Sequence, residues 1–193
     1  MKKNDEFIPH NQKEFENAVN MVAWFEGFRS RPYLCPAGHL TIGYGHRLRS
    51  GESHAPITKD VARTLLLDDF GDCLNYINQV FPYLWDCQLY ALASLSFNLG
   101  YSWLNENRNL YREVKSLNAA QKNGCTSQSC QYNVIWYLNK YVNAKDRFGK
   151  PHALKGLVKR RDVESDMFKG LIKDFREYIN LKSFNHLKLE NYE

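Results

Sequence analysis

One change of hydrophobic period constrains this chain more than any other feature. Up to Gly27 the apolar residues Phe15, Val19, Val22 and Phe25 recur at helical spacing, with Asn11 placed to cap the first turn. An amphipathic helix is therefore predicted to end beside Glu26. Beyond it, RPYLCPAGHLTIGYGHRL carries no helical stripe. Tyr33 and Leu34, a Pro-Ala-Gly turn, and Leu40, Thr41 and Ile42 read as a short, Gly-rich β-hairpin, the only strand region the sequence predicts. A helix ending in a carboxylate thus runs directly into a hairpin bearing a thiol, Cys35, and a hydroxyl, Thr41.

Everything after the hairpin reads as helix. In Ile57-Thr58-Lys59-Asp60, Thr58 can cap, Asp60 suits the positive end of a helix dipole, and Ile57 can staple the entry. Val61, Leu65, Phe70, Cys73 and Ile77 continue the stripe towards Pro82, which makes a helix long enough to link two lobes. Asp86 opens the next helix, through Ala91, Leu92, Leu95 and Leu99 to Gly100. Further helical patterns cover residues 103–117 and 129–142, and a last strong one covers residues 157–181. There is no internal repeat and no low-complexity linker. The predicted class is mainly α (α+β), with a small N-terminal β-hairpin and one long connecting helix. Residues 1–193 are expected to form a single domain. An N-terminal lobe would span about 12–57, the connecting helix about 58–81 and a helical lobe about 82–181, with polar tails.

Composition narrows the function classes. A chain of 193 residues with 44% hydrophobic and 24% charged residues buries a core without staples and is not a disordered chain. Its net charge of +5 favours polyanions: nucleic acid, membrane phosphates or acidic wall polymers. The densest basic run, Lys155, Lys159, Arg160 and Arg161, is interrupted by Asp162 and Glu164, so no nucleic-acid partner is expected. No apolar stretch follows the N-terminal lysines, so neither a secretory signal nor an anchor is predicted. The most apolar run, residues 89–104, is shorter than the roughly 20 residues that span a bilayer and reads as a core helix. Five cysteines in no metal-ligand spacing argue against a metal site and against a complete disulfide framework. Cys73 and Cys87 sit on helical stripes, whereas Cys125 and Cys130 bracket a polar loop and could close a short disulfide in an oxidising compartment.

The segment from Glu26 to His46 resembles the active-site segment of the phage lysozyme family, glycoside hydrolase family 24. The family signature is Glu, eight residues, Asp or Cys, five residues, Thr, and Glu26, Cys35 and Thr41 occupy those positions. Further along, ITKDVARTLLLDD resembles the start of the family's interlobe helix, SFNLG its core helix, and GLVKRRDVESDMF its C-terminal motif. The resemblance spans about residues 15–175. NENRNLYREV is charged where the family is usually Ser-Thr-rich, and the loop from Cys125 to Cys130 is particular to this chain.

The resemblance implies a two-lobed, lysozyme-like muramidase that hydrolyses the β-1,4 bond between N-acetylmuramic acid and N-acetylglucosamine in peptidoglycan, with inversion and without a cofactor. Such cleavage needs a proton for the leaving oxygen and a water for the sugar carbon. Glu26 is the natural acid, and burial at a cleft would have to keep it protonated, against the pull of any nearby arginine. Cys35 and Thr41 could hold the water; a thiol, ordinarily protonated at neutral pH, would position that water more than activate it. Cys35 as a nucleophile is the second possibility. His46 is expected to pair with Asp69 on the interlobe helix, a structural tie. Arg160 and Arg161 form a solvated face on the plain reading; on the functional one, one of them hydrogen-bonds Glu26 or a sugar. Tyr44, with Tyr33, Trp103 and Trp136, belongs to the core or the rim of a sugar site. The implied protein is a monomer made in a bacterial host cytoplasm, reaching the wall through a holin-type pore or another delivery device. A chitinase, a lytic transglycosylase and an inactive glycan-binding protein of the same fold are the alternatives.

Overall fold

The computed structural model describes residues 9, 11–35, 38–125, 128–145 and 150–186. The expected tails, the charged N-terminal stretch, and Pro36 and Ala37 of the hairpin turn lie largely or wholly outside the described residues, as do Thr126 and Ser127 between the two loop cysteines. In chain order the elements are α1 (Gln12–Glu26), β1 (Arg29–Leu34), β2 (Leu40–Gly43), β3 (His46–Arg47), α2 (Lys59–Val80), α3 (Asp86–Leu99) and a 3-10 turn (Ser102–Leu104). Then follow α4 (Asn109–Lys122), α5 (Gln128–Leu138), β4 (Asn143–Lys145), β5 (Pro151–Ala153), α6 (Lys155–Phe168) and α7 (Phe175–His186). The architecture is mainly helical, with a small antiparallel sheet near the N-terminus.

The first helix follows its sequence signals. Asn11 accepts from the backbone N–H of Lys13 and Glu14, and Gly27 closes the other end at φ 68. The hairpin is more than a hairpin. Gly43 and Gly45 both have positive φ, so the chain reverses again at Tyr44 and adds β3 to a three-stranded sheet in the order β1-β2-β3. A β-carbon at Gly43 would meet that of Ala62 at 3.0 Å, so the missing side chain lets the sheet lie against the start of α2.

The long helix α2 is capped by Thr58, whose hydroxyl accepts from the N–H of Val61 at 3.3 Å. Its buried stripe is Ala62, Leu66, Phe70, Cys73, Leu74 and Ile77; Val61 is exposed and Leu65 only half-buried. The predicted phase is therefore rotated at its first two positions, because the sheet packs on Ala62. Burial of Leu66, Phe70 and Ile77 contributes roughly 1.5–3 kcal/mol each. Directly after this helix, Phe81 stacks on the buried Trp103 with ring centroids 6.2 Å apart.

Helix α3 is buried along most of its length and runs through the middle of the core, flanked by α1, α2 and α6. Its Ser96 hydroxyl accepts from Trp103 Nε1 at 2.9 Å and donates to the Leu92 carbonyl at 2.9 Å, which satisfies the buried indole.

Three helix predictions are corrected. The pattern from residue 103 starts its helix only at Asn109, since Asn105 accepts from the N–H of Asn107 in a local turn that competes with the helix. The pattern over residues 129–142 stops at Leu138, and the chain then enters a second, two-stranded sheet, β4 with β5, which the sequence did not predict. The last helix is two helices, broken at Gly170. Asn17 of α1 holds the break, donating to the Lys173 carbonyl at 3.1 Å and accepting from the N–H of Phe175 at 3.0 Å. None of the five cysteines is in a disulfide. No helix among the described residues is long and apolar enough to cross a membrane.

Candidate active site

Glu26 is the last residue of α1, where unpaired backbone carbonyls make the surroundings unfavourable for a negative charge. Arg160 of α6 offsets this. Its Nη1 donates to Glu26 Oε1 at 2.5 Å, its Nε donates to Glu164 Oε1 at 3.1 Å, and its Nη2 donates to the Ser94 carbonyl at 3.2 Å. Glu164 is held in turn by the Ser94 hydroxyl at 2.7 Å and by Arg161 Nη2 at 2.8 Å. One chain of contacts thus joins Glu26, Arg160, Glu164 and Arg161 between α1, α3 and α6.

The two arginines are not a solvated face. Arg160 is 3% exposed and Arg161 is 0% exposed, because α6 buries this side against α3. Arg161 spends its Nη2 on Glu164 and on Asn98, so the expectation of a direct sugar contact by Arg161 is corrected: its guanidinium has no open surface. Burial pulls its pKa below the ordinary arginine value, opposed chiefly by the charge of Glu164.

With Oε1 of Glu26 pinned, its other oxygen faces the sheet. A β-carbon at Gly45 would lie 3.5 Å from Glu26 Oε2 and 3.7 Å from Phe97 Cε1, ordinary contact distances that place this turn against the carboxylate. Gly45 and Phe97 also line a groove of about 760 Å³. Its walls come from the sheet (His39, Arg47), from α2 (Asp69, Cys73) and from the end of α3 with the residues after it (Asn98, Tyr101).

Thr41 lies in β2 and Cys35 directly follows β1; neither is among the residues that line this groove. The Cys35 N–H donates to the His39 carbonyl at 2.9 Å, and the Thr41 hydroxyl donates to the same carbonyl at 3.0 Å. One backbone oxygen therefore fixes both residues relative to each other. Tyr33, which pairs across the strands with Thr41, has its phenol pKa raised by burial, against the opposing charge of Arg29, with further upward pushes from Glu26 and Cys35. Glu26 and Cys35 are thus neighbours of one side chain. Tyr44 sits half-buried on the turn between β2 and β3, its ring 5.7 Å from that of Phe28. Trp103 is core, and Trp136 is half-exposed beneath the Lys140 ammonium, 4.1 Å from the ring centroid.

His46 is buried in β3. Its Nδ1 lies 2.7 Å from Asp69 Oδ2, and its Nε2 lies 3.1 Å from Glu52 Oε2. Burial pushes the imidazole pKa down, but the two carboxylates outweigh that and leave it raised. Both nitrogens can donate only in the imidazolium form, which these two acids favour. Glu52 is held below the usual carboxylate range by the N–H of Arg49 and then by His46. Sequence reasoning missed Ser94, Glu164, Glu52 and Asn98. Glu164 was read only as an interruption of a basic run, although its place four residues after Arg160 is the spacing of a helical ion pair.

The sequence profile of the phage lysozyme family matches residues 23–164, a span that holds every site residue named above. An endolysin of Acyrthosiphon pisum secondary endosymbiont phage 1 is 31% identical over 158 residues, covering 80% of this chain and 97% of that protein. Among solved structures, the endolysin from Escherichia coli O157:H7 phage FAHEc1 superposes with a TM-score of 0.62 at 22% identity, over 84% of this chain and 96% of that one. The active form of the P1 phage endolysin superposes with a TM-score of 0.57 at 27% identity, over 83% of this chain and 85% of that one. These likenesses establish that the chain belongs to the phage lysozyme family and is a glycoside hydrolase of the lysozyme type.

Proposed function

We propose that this chain is a phage lysis enzyme that hydrolyses the β-1,4 bond between N-acetylmuramic acid and N-acetylglucosamine, with inversion. The observation that carries this reading is the asymmetry of Glu26: one oxygen is clamped by Arg160, and the other lies against Gly45, a residue that lines the groove. In the proposed mechanism Glu26 delivers a proton to the leaving glycosidic oxygen while water attacks the anomeric carbon from the opposite face. Cys35 and Thr41, tied to the His39 carbonyl, position that water. A thiol is a weak base, so most of the acceleration comes from the acid and from placement of the solvent. No cofactor enters this chemistry.

The chain works as one lysozyme-like unit, 12–57 carrying the acid and the sheet and 82–181 forming the helical lobe. It acts as a monomer, without nucleic acid, and reaches the wall through a holin-type pore or a comparable delivery device. The test is solubilisation of purified sacculi. Glu26→Gln, which keeps the shape and removes the proton, lowers the rate by about a thousandfold. Fragments end in reducing N-acetylmuramic acid, and the anomer released first has the inverted configuration. Anhydro-muramic ends would make the enzyme a lytic transglycosylase, and turnover of chitin alone a chitinase. A wild-type protein that binds sacculi and releases nothing would be an inactive member of the fold.

A further inference from the structure

The charged stretch NENRNLYREV, which departs from the family pattern, leads into α4 and has no part in the site described above. Tyr111, Lys115, Asn118 and Lys122 follow one another there at helical spacing and share one face of the helix. The segment between α2 and α3 lies along that face. The Phe81 ring is 5.7 Å from that of Tyr111, the Tyr83 N–H donates to Asn118 Oδ1 at 2.9 Å, and the Lys122 ammonium lies 5.3 Å from the centre of the Tyr83 ring. Lys115 is placed likewise, 5.7 Å from the centre of the Tyr111 ring. Trp85 is pinned beside them, since its N–H donates to Gln88 Oε1 at 3.0 Å, an oxygen that also accepts from Gln121 Nε2 at 3.0 Å. Tyr83 and Trp85 are nevertheless 44% and 46% exposed, and both lysines are exposed. The neighbouring acids are engaged elsewhere: Glu113 accepts from Asn133 at 3.1 Å, and Asp86 accepts from the Tyr90 hydroxyl at 3.4 Å. Among the described residues neither lysine is in a salt bridge.

Two aromatic rings on a pinned backbone offer flat apolar faces at little entropic cost, and such faces suit the apolar side of a sugar ring. Lys115 and Lys122 stand two turns apart on α4, about 10 Å along its axis, which is also the span of two 1,4-linked pyranoses. In a strand of alternating N-acetylmuramic acid and N-acetylglucosamine, every second sugar carries a lactyl ether that ends in a free carboxylate wherever no peptide is attached. Charge and spacing therefore agree. The groove lies elsewhere: it takes residues from the far end of α3, and the 14 residues from Asp86 to Leu99 make about 20 Å of helix. We infer that Tyr83, Trp85, Lys115 and Lys122 form a second glycan-binding surface, which holds peptide-free strands of the wall polymer by their lactyl carboxylates. This rests on the muramidase reading for its choice of polymer, and adds to it an anchoring face remote from the proposed acid.

The probes are soluble peptide-free strands of the wall polymer, the same strands with their carboxylates converted to methylamides, and vesicles of anionic phospholipid. Each is added to the Glu26→Gln protein, so that the glycan stays intact. In that background Lys115→Gln/Lys122→Gln weakens binding of the acidic strands about tenfold at low salt and leaves binding of the methylamidated strands unchanged. Lys115→Arg/Lys122→Arg keeps most of the affinity. Lys13→Gln/Lys173→Gln removes the same charge from exposed positions elsewhere and has no effect. The indole N–H resonance of Trp85, assigned with Trp85→Phe, shifts when the acidic strands are added. Unchanged binding without the two lysines, an equal loss on methylamidated strands, or an unshifted Trp85 resonance overturns the inference. Tighter binding to the vesicles than to the strands, dependent on the same lysines, makes this face a membrane contact and overturns it as well. Solubilisation of sacculi by the wild type is scored separately: if none occurs the muramidase reading fails, while the binding of strands at this face is decided without turnover.

Discussion

Two ion networks, one at Glu26 and one at His46, differ in what surrounds them. The Arg160, Arg161, Glu164 and Glu26 group is sealed between helices, with Glu164 and Arg161 at 0% side-chain exposure. The His46, Asp69, Glu52 and Arg49 group sits at the rim, where Arg49 is 68% exposed. Both join α-helical residues to the proposed catalytic edge of the molecule, the first through Glu26 and the second through the sheet. In the interior, removing one partner leaves a charge that water cannot reach. At the rim, solvent replaces whatever is lost. Similar pairs of side chains therefore act as a fixed clamp in one place and as a titratable tie in the other.

The clamp yields the largest expected effect. Glu164→Gln leaves Arg160 and Arg161 sharing Glu26 alone, and one guanidinium stays buried without a counter-charge. We expect a loss of about 3–5 kcal/mol of stability, measured by urea denaturation, little affected by ionic strength. Residual folded protein should also lose activity, because Arg160 is then no longer held at Nε and its grip on Glu26 Oε1 loosens. A stability loss below about 1 kcal/mol would put the two networks in the same class and break the comparison.

Asp69→Asn comes next. It removes the shorter contact of His46 and keeps the shape, and the expected cost is about 1–2 kcal/mol at mildly acidic pH. The sign follows from the raised imidazole pKa: stabilisation is complete below the unfolded-state histidine value, about 6.5, and fades as pH climbs through the higher folded value. Melting curves from pH 5 to 9 should show wild type and variant converging on the alkaline side. A constant gap would mean that Asp69 acts by packing, and an imidazole titration at or below the ordinary histidine value would reject the pair.

The same contrast explains what could be read in the sequence. The proposed catalytic edge is local: Glu26, Cys35, Thr41, Gly45 and His46 fall within one stretch, and the period change and glycines at its turn report their geometry directly. The clamp is not local. Ser94 and Glu164 are 70 residues apart and Glu26 and Arg160 are 134 apart, so nothing in the spacing of α6 says which face is buried. Its basic run looked solvated because burial of an arginine depends on a carboxylate from another helix. The break at Gly170 was hidden in a similar way, since the cap that restarts the helix is Asn17, 158 residues from Phe175. The third strand was missed for the opposite reason: β3 is two residues long and has no periodicity to detect.

Glu52→Gln is the smallest of the three changes, and it sharpens the comparison most finely because it touches only the solvent side of the rim network. Glu52 accepts from the Arg49 N–H at 2.8 Å and meets His46 at 3.1 Å, contacts that hold it below the usual carboxylate range. A lowered carboxylate contributes stability above its unfolded-state value, about 4.3, and loses it as pH falls through the lower folded value. Glu52 thus acts from the acid side and His46 from the alkaline side, and the two together stabilise the sheet most between about pH 4.5 and 6.5. Glu52→Gln should narrow that maximum and lower the histidine titration, with a smaller change in melting temperature than Asp69→Asn and a clear dependence on salt. If instead it matched Asp69→Asn in size and ignored salt, the rim would share the character of the sealed clamp, and solvent exposure would not be what separates the two.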